Sequence, residues 1–196
     1  MCIGMDVSEG MVGKYNAAAL EQGLSENQMH AIHGDLMSPK VNPALLGPET
    51  SEFDLVTICM ALHHLEDPAD AAKKLVARLK KGGTFLVIDW ATGAGQDQEE
   101  LKRAQQGGEL DDNGSTEQHH HHHHEHQRGH GHDHGVQRYP AAHTVTRDSF
   151  PKEEIEEIFK DAGCEQVDFV LHPKKWSVPM ARGGEMQLFF ARCTKV

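Results

Sequence analysis

The 196-residue chain predicts an α/β fold: a mostly parallel sheet with helices on both faces, closed by an antiparallel strand pair. Three observations predict it. Short apolar runs alternate with helix-period segments. Two of the runs, at 53–60 and 84–90, read as strands covered on both faces, as in parallel sheets. The C-terminal stretch then holds two strand-like runs, 165–171 and 185–193, with only a loop between them.

Taken in order, residues 2–7 read as a short strand ending in an acid, and Ser8 opens a helix to about Leu24 with Met11, Tyr15, Ala18 and Ala19 on one face. Residues 28–33 form a second strand, closed by Gly34-Asp35-Leu36. Residues 37–52 hold three prolines without a period and read as a loop. After the strand at 53–60, Asp67-Pro68 starts a helix, the acid as cap and the proline suited to the first turn. Its buried stripe is Ala72, Leu75, Val76 and Leu79, and Lys80, Lys81, Gly82 and Gly83 are expected to end it. Thr84 to Trp90 is the next buried strand. Pro151 begins a helix with Ile155, Ile158, Phe159 and Ala162 inward, stopped by Gly163.

Composition narrows the function classes. Apolar residues make up 38% of the chain, and formal net charge is −11 with the 16 histidines neutral. That balance argues against a nucleic-acid surface, which needs clustered Lys and Arg. No apolar run approaches membrane-spanning length, and the first residues carry neither a basic region nor a signal core. A cytoplasmic protein without a membrane partner is the expectation; the oligomeric state is left open. The four cysteines, Cys2, Cys59, Cys164 and Cys193, form no CxxC pair and are expected to be small buried hydrophobes in a reducing compartment.

Three segments carry a family resemblance. Ile3-Gly4-Met5-Asp6-Val7-Ser8-Glu9-Gly10-Met11, His33-Gly34-Asp35-Leu36, and Phe53-Asp54-Leu55-Val56 through His63-His64-Leu65 to Leu79-Lys80-Lys81-Gly82-Gly83-Thr84-Phe85 resemble, in order and spacing, the second to fifth strands of class I S-adenosylmethionine (SAM) dependent methyltransferases. The resemblance covers about residues 1–91, with 144–196 matching the family's tail more loosely, and it implies a Rossmann-like sheet. It implies SAM as cofactor and a small-molecule methyl acceptor as partner. It also assigns roles. Asp6 would hold the ribose hydroxyls, Ser8 and Met11 would lie beside ribose and adenine, and Asp35 would take the adenine amino group with the Leu36 backbone alongside. Met60 would flank the methionine end. These positions also make chemical sense, because ligands of open α/β sheets bind outside the strands' C-terminal ends. His63 or His64 is the candidate base, needed where the acceptor carries a proton at attack.

One part of the family pattern is missing. Its first strand, with a glycine-rich loop, would precede Cys2 and sit mid-sheet, between the strands at 2–7 and 53–60. Without it two strand edges are expected to stand unpaired. A fragment or misplaced start is the favoured explanation, ahead of a degenerate relative or a strand supplied by a partner. Residues 92–143 are rich in Gly, Gln, acids and His, including the run 119–124, and are expected to be a disordered insertion with no dedicated metal site. Acceptor-binding residues are expected after Trp90 and around 174–184. Two further readings are a non-catalytic methyltransferase-like binding domain and a His-rich metal-binding protein.

Overall fold

In the computed structural model, which describes residues 1–92, 146–178 and 185–196, the chain alternates strand and helix as its patterning dictates. The elements are β1 (Cys2–Asp6), α1 (Glu9–Glu21), β2 (Met29–His33), β3 (Phe53–Cys59), α2 (Pro68–Val76), β4 (Leu79–Ala91), α3 (Lys152–Asp161), β5 (Cys164–Ser177) and β6 (Glu185–Lys195). All described residues fall in one compact unit. The expected boundaries at 91/92 and 143/144, and the histidine-rich insertion between them, lie at or beyond the edge of the described residues.

The strands form two sheets. β1 and β2 pair in parallel, and the other four run in the order β3-β4-β6-β5. β3 and β4 are parallel, while β6 is antiparallel to both β4 and β5. The expected C-terminal antiparallel pair is therefore present, with β6 inside and β5 at the edge. The expected unpaired edges are present too: among the described residues, β1 bonds only β2 and β3 bonds only β4.

Register decides which side chains meet the core, because directly paired residues point to the same face. The row Ile58, Val87, Ala191, Phe169 lies on one face. It packs under α2 and α3 with Ala72, Val76, Ile155, Ile158 and Phe159. Burying an aromatic or aliphatic side chain of this kind contributes about 1.5–3 kcal/mol. The neighbouring row Cys59, Ile88, Phe190, Val170 lies on the other face. There Val170 is 61% exposed and Leu55, four residues before Cys59 on β3, is 53% exposed. The expectation that β3 is covered on both faces is thus corrected: α2 and α3 cover the same face.

Three local expectations also change. α1 is capped by Ser8, whose Oγ accepts from Met11 N at 3.3 Å, but it ends at Glu21 and Met11 is exposed. Its inward residues are Tyr15, which meets β1 at Gly4, and the buried Ala19. Helix α2 is capped by Asp67 as predicted, but it stops at Val76, well before the glycines. The carbonyls that would extend it are bonded elsewhere: Arg78 O accepts from Phe53 N, and Lys195 Nζ donates to Leu79 O at 2.6 Å and Ala77 O at 3.3 Å. Gly82 and Gly83 instead belong to an irregular start of β4, where pairing with β3 shifts between Phe53 and Leu55. The cysteine expectation holds for Cys164 and Cys193, which are buried, and fails for Cys2 and Cys59, which are exposed on strands with a free edge.

The 37–52 loop contains two 3-10 turns, Pro43–Leu45 and Pro48–Thr50. Arg78 fixes them, donating to Thr50 O at 2.7 Å and Leu45 O at 2.8 Å. Between this loop and α2 lies a groove of about 630 Å³, lined by Leu36, Val41, Leu45 and Arg78 among others.

Candidate active site

The sequence-derived residues gather at the C-terminal ends of parallel strands, in two groups. The first lies on β1 and β2. Asp6 ends β1 and pairs in register with His33, and Gly34 N donates to Asp6 O at 3.0 Å. Asp35 follows at once, so the two acids stand at the same end of neighbouring strands. Each carboxylate uses one oxygen to shape its own turn: Asp6 Oδ1 accepts from Ser8 N at 2.8 Å, and Asp35 Oδ1 accepts from Met37 N at 2.7 Å. A carboxylate has about four lone-pair sites, so these bonds orient both groups without exhausting them. Ser8 is engaged as the cap of α1, and Met11 presents an exposed side chain one turn in. Leu36 is buried, its side chain lining the groove against Leu45 and Arg78. Its position thus fixes the backbone next to Asp35. His33 completes this rim, its Nε2 3.1 Å from Val7 O.

The second group follows β3. Met60 sits immediately past the strand with φ of 53°, in the left-handed region, and its N–H bonds Ile88 O at 2.8 Å. A non-glycine residue held there costs of order 1–3 kcal/mol and persists only where the surroundings impose it, a pattern common at functional sites. The chain then forms the 3-10 turn Leu62–His64. His63 is 6% exposed, and its Nδ1 lies 2.7 Å from Asp89 Oδ1. The two rings of His63 and His64 stand 4.1 Å apart.

Asp89 was not singled out from the sequence. It lies on the core face near the end of β4, 0% exposed. Oδ1 also accepts from Trp90 N at 2.8 Å, and Oδ2 accepts from His63 N at 3.2 Å. A buried carboxylate survives only when so satisfied. The signal was an acid inside an otherwise apolar strand, which implies a buried partner. Because a carboxylate only accepts, Nδ1 carries a ring proton, and in the neutral imidazole the lone pair then sits on Nε2. This is the arrangement of an oriented general base. Of the segments where acceptor contacts are expected, residues 93–145 and 179–184 lie outside the described residues, and 174–177, expected in a loop, form the end of β5. Among the described residues no cluster of His, Cys, Asp and Glu is arranged to hold a metal ion, and no helix is long and apolar enough to cross a membrane.

Comparison with known proteins bears on the family and the fold. The family described as methyltransferase domain matches residues 1–168. An uncharacterized methyltransferase of Schizosaccharomyces pombe is 32% identical over 91 residues, covering 46% of this chain and 31% of its own. YcgJ of Bacillus subtilis, also an uncharacterized methyltransferase, is 30% identical over 88 residues, covering 45% and 31%. The chain therefore matches less than a third of the length of either curated relative. The crystal structure of YcgJ superposes with a TM-score of 0.55 at 16% identity over 99% of this chain and 82% of that one. A SAM-dependent methyltransferase of Methanosarcina mazei gives 0.57 at 15% identity, covering 99% and 81%. At these identities the superpositions speak for the fold.

Proposed function

Because the chain belongs to the methyltransferase domain family, we propose that it binds SAM and transfers its methyl group to a small-molecule acceptor that carries a proton at the reacting atom. The observation that carries this reading is the buried pair of His63, in the turn after β3, and Asp89, near the end of β4, at the end of the sheet where ligands of open α/β folds bind.

The donor set suits the cofactor. Asp6 and Asp35 offer two carboxylates at the ends of adjacent parallel strands, one for a ribose diol and one for an adenine amino group. Both acceptors are already aimed by their turn hydrogen bonds, so binding orders little more. Met60 presents a flexible apolar side chain beside the second group. When bound, SAM supplies a methyl group already activated by its sulfonium. The chain's own residues then have two tasks: to align donor and acceptor, and to take the acceptor's proton. His63 Nε2 does the second, while Asp89 holds the ring proton on Nδ1 and stabilises the imidazolium formed. The acidic balance of the chain favours a small acceptor over nucleic acid.

Calorimetry of the purified chain with SAM and with its demethylated product tests the first half. Binding is expected, and Asp6→Ala should weaken it about 10- to 100-fold, the worth of a charged hydrogen bond. No heat at millimolar ligand in folded protein would mean a binding domain without cofactor. The second half is tested by release of demethylated product with a panel of phenol, thiol and amine acceptors. His63→Gln should lower turnover by about 10²–10⁴-fold with SAM affinity unchanged. Full turnover in that variant would remove His63 from the reaction.

A further inference from the structure

We propose that Thr146 is a positioning residue for His63, fixing the turn that carries the imidazole and through it the ring's alignment with Asp89. The proposal rests on the reading of His63 as the base.

A ring held by one carboxylate is placed only as well as its backbone. That backbone is a single 3-10 turn, Leu62–His64, whose trailing carbonyls have no partner within it. Thr146 supplies the partner. Its N–H donates to His63 O at 3.1 Å, and its hydroxyl lies 2.9 Å from both His63 O and Leu65 O. A hydroxyl carries one proton, so the two carbonyls share it in a three-centre bond. Arg147 N adds a fourth contact, to His63 O at 3.3 Å. These partners lie 83 and 81 positions away in the chain, so nothing local imposes the contact.

The segment that brings Thr146 there is anchored at its other end. Phe150 is 0% exposed and forms a parallel bridge with Ala91. Phe150 N donates to Trp90 O at 2.9 Å, and Thr92 N donates to Phe150 O at 2.9 Å. The Ser149 hydroxyl meets that of Thr92 at 3.0 Å. Arg147 lies 4.8 Å over the Phe150 ring and pairs with Glu154 of α3. Residues 146–150 thus strap the end of β4, which bears Asp89, to the turn that bears His63. Thr146 is the link at the His63 end. The amides of residues 146 and 147 would still reach His63 O without the hydroxyl, but the Leu65 carbonyl would not be held.

The test uses the full chain with ¹⁵N-labelled histidine. Long-range proton–nitrogen spectra report which ring nitrogen of His63 is protonated, with the signals assigned by difference against His63→Gln. In the parent protein the Nδ1–H tautomer should dominate in the neutral ring. Thr146→Val keeps the shape and removes the hydroxyl. It should move the His63 nitrogen shifts toward tautomer averaging, with the circular dichroism spectrum unchanged. Thr146→Ser, which keeps the hydroxyl, should restore the parent signals. Thr146→Ala repeats the deletion without valine's methyls. Parent-like His63 signals in folded Thr146→Val or Thr146→Ala would overturn the proposal, as would failure of Thr146→Ser to restore them. Neither result bears on whether His63 is the base. Conversely, full methyl transfer by His63→Gln would end that reading and leave the spectra unaffected.

Discussion

At the scale of single residues, the two pairs of cysteines should behave oppositely. Cys164 and Cys193 are buried and hydrogen-bonded to each other, and burial pushes both thiols above their ordinary range. Burial and the Cys2 thiol, 3.2 Å from its hydroxyl, push Tyr15 up to about 12. All three groups are held neutral by the fold and ionise more readily once unfolded. The folded state therefore binds more protons than the unfolded one above the thiols' ordinary range, near pH 9. Stability from these groups is complete below that range and falls as pH rises through it, with Tyr15 adding from about pH 10 to 12. Thermal melts from pH 7 to 11 should show this decline, and Cys193→Ala should flatten it. A thiol reagent at neutral pH should modify Cys2 and Cys59 and leave Cys164 and Cys193 untouched; four reactive thiols in native protein would contradict the burial. Sequence reading put all four inside, because an apolar run is assumed covered. It found His63 by its place after a strand, yet passed over Asp89, its partner 26 positions away, and Thr146, 83 positions away. Local pattern shows which residue stands at a strand's end. It does not show which distant one reaches it.

At the scale of elements, the glycine pair before Thr84 shows how one signal serves two structures. Two lysines and two glycines after an apolar stripe read as a helix terminus. In the fold the helix has already ended, since Phe53 N and Lys195 take the carbonyls of residues 77–79. The glycines then let β4 bulge into register with β3. Gly82 adopts φ of 77°, and a Cβ on Gly83 would stand 2.9 Å from the carbonyl oxygens of both Lys80 and Phe53. Those are backbone atoms and cannot rotate aside. Gly83→Ala should therefore cost about 1–3 kcal/mol in denaturant unfolding, in the range of overpacking. A C-cap role would predict little effect at Gly83. By contrast α3 was legible in full: Ile155, Ile158 and Phe159 repeat at helical spacing, they are the residues buried, and Gly163 with φ of 81° stops the chain. Its last carbonyls are taken locally, Ile158 O by Ala162 N and Lys160 O by Gly163 N.

At the scale of the molecule, the sheet has a dressed face and a bare one, and the consequence is measurable. Rows across β3, β4, β6 and β5 alternate between faces. Among the described residues, the row through Val87 meets α2 and α3, whereas the row Cys59, Ile88, Phe190, Val170 meets no helix in the core cluster. β3 adds a free edge to that face, with Leu55 standing beside its unpaired backbone groups. An exposed apolar edge is a template for another strand, and proteins usually blunt such edges with charge. The formal charge of −11 opposes association at long range, but salt screens it within about 8–10 Å. Self-association should therefore grow with both concentration and salt. Light scattering at physiological ionic strength should give an average mass above 21.7 kDa. Leu55→Lys places a cation on the free edge and should bring the mass back toward the monomer, while Lys14→Leu, on exposed α1, should not. A monomer at every salt concentration, or an unchanged mass in Leu55→Lys, would show that the bare face and its edge attract no strand. The row pattern that makes this face apolar was visible as the largely apolar runs at 53–60 and 84–90. Those runs reported the need for cover on two faces; which face the helices would take depended on contacts across the whole chain.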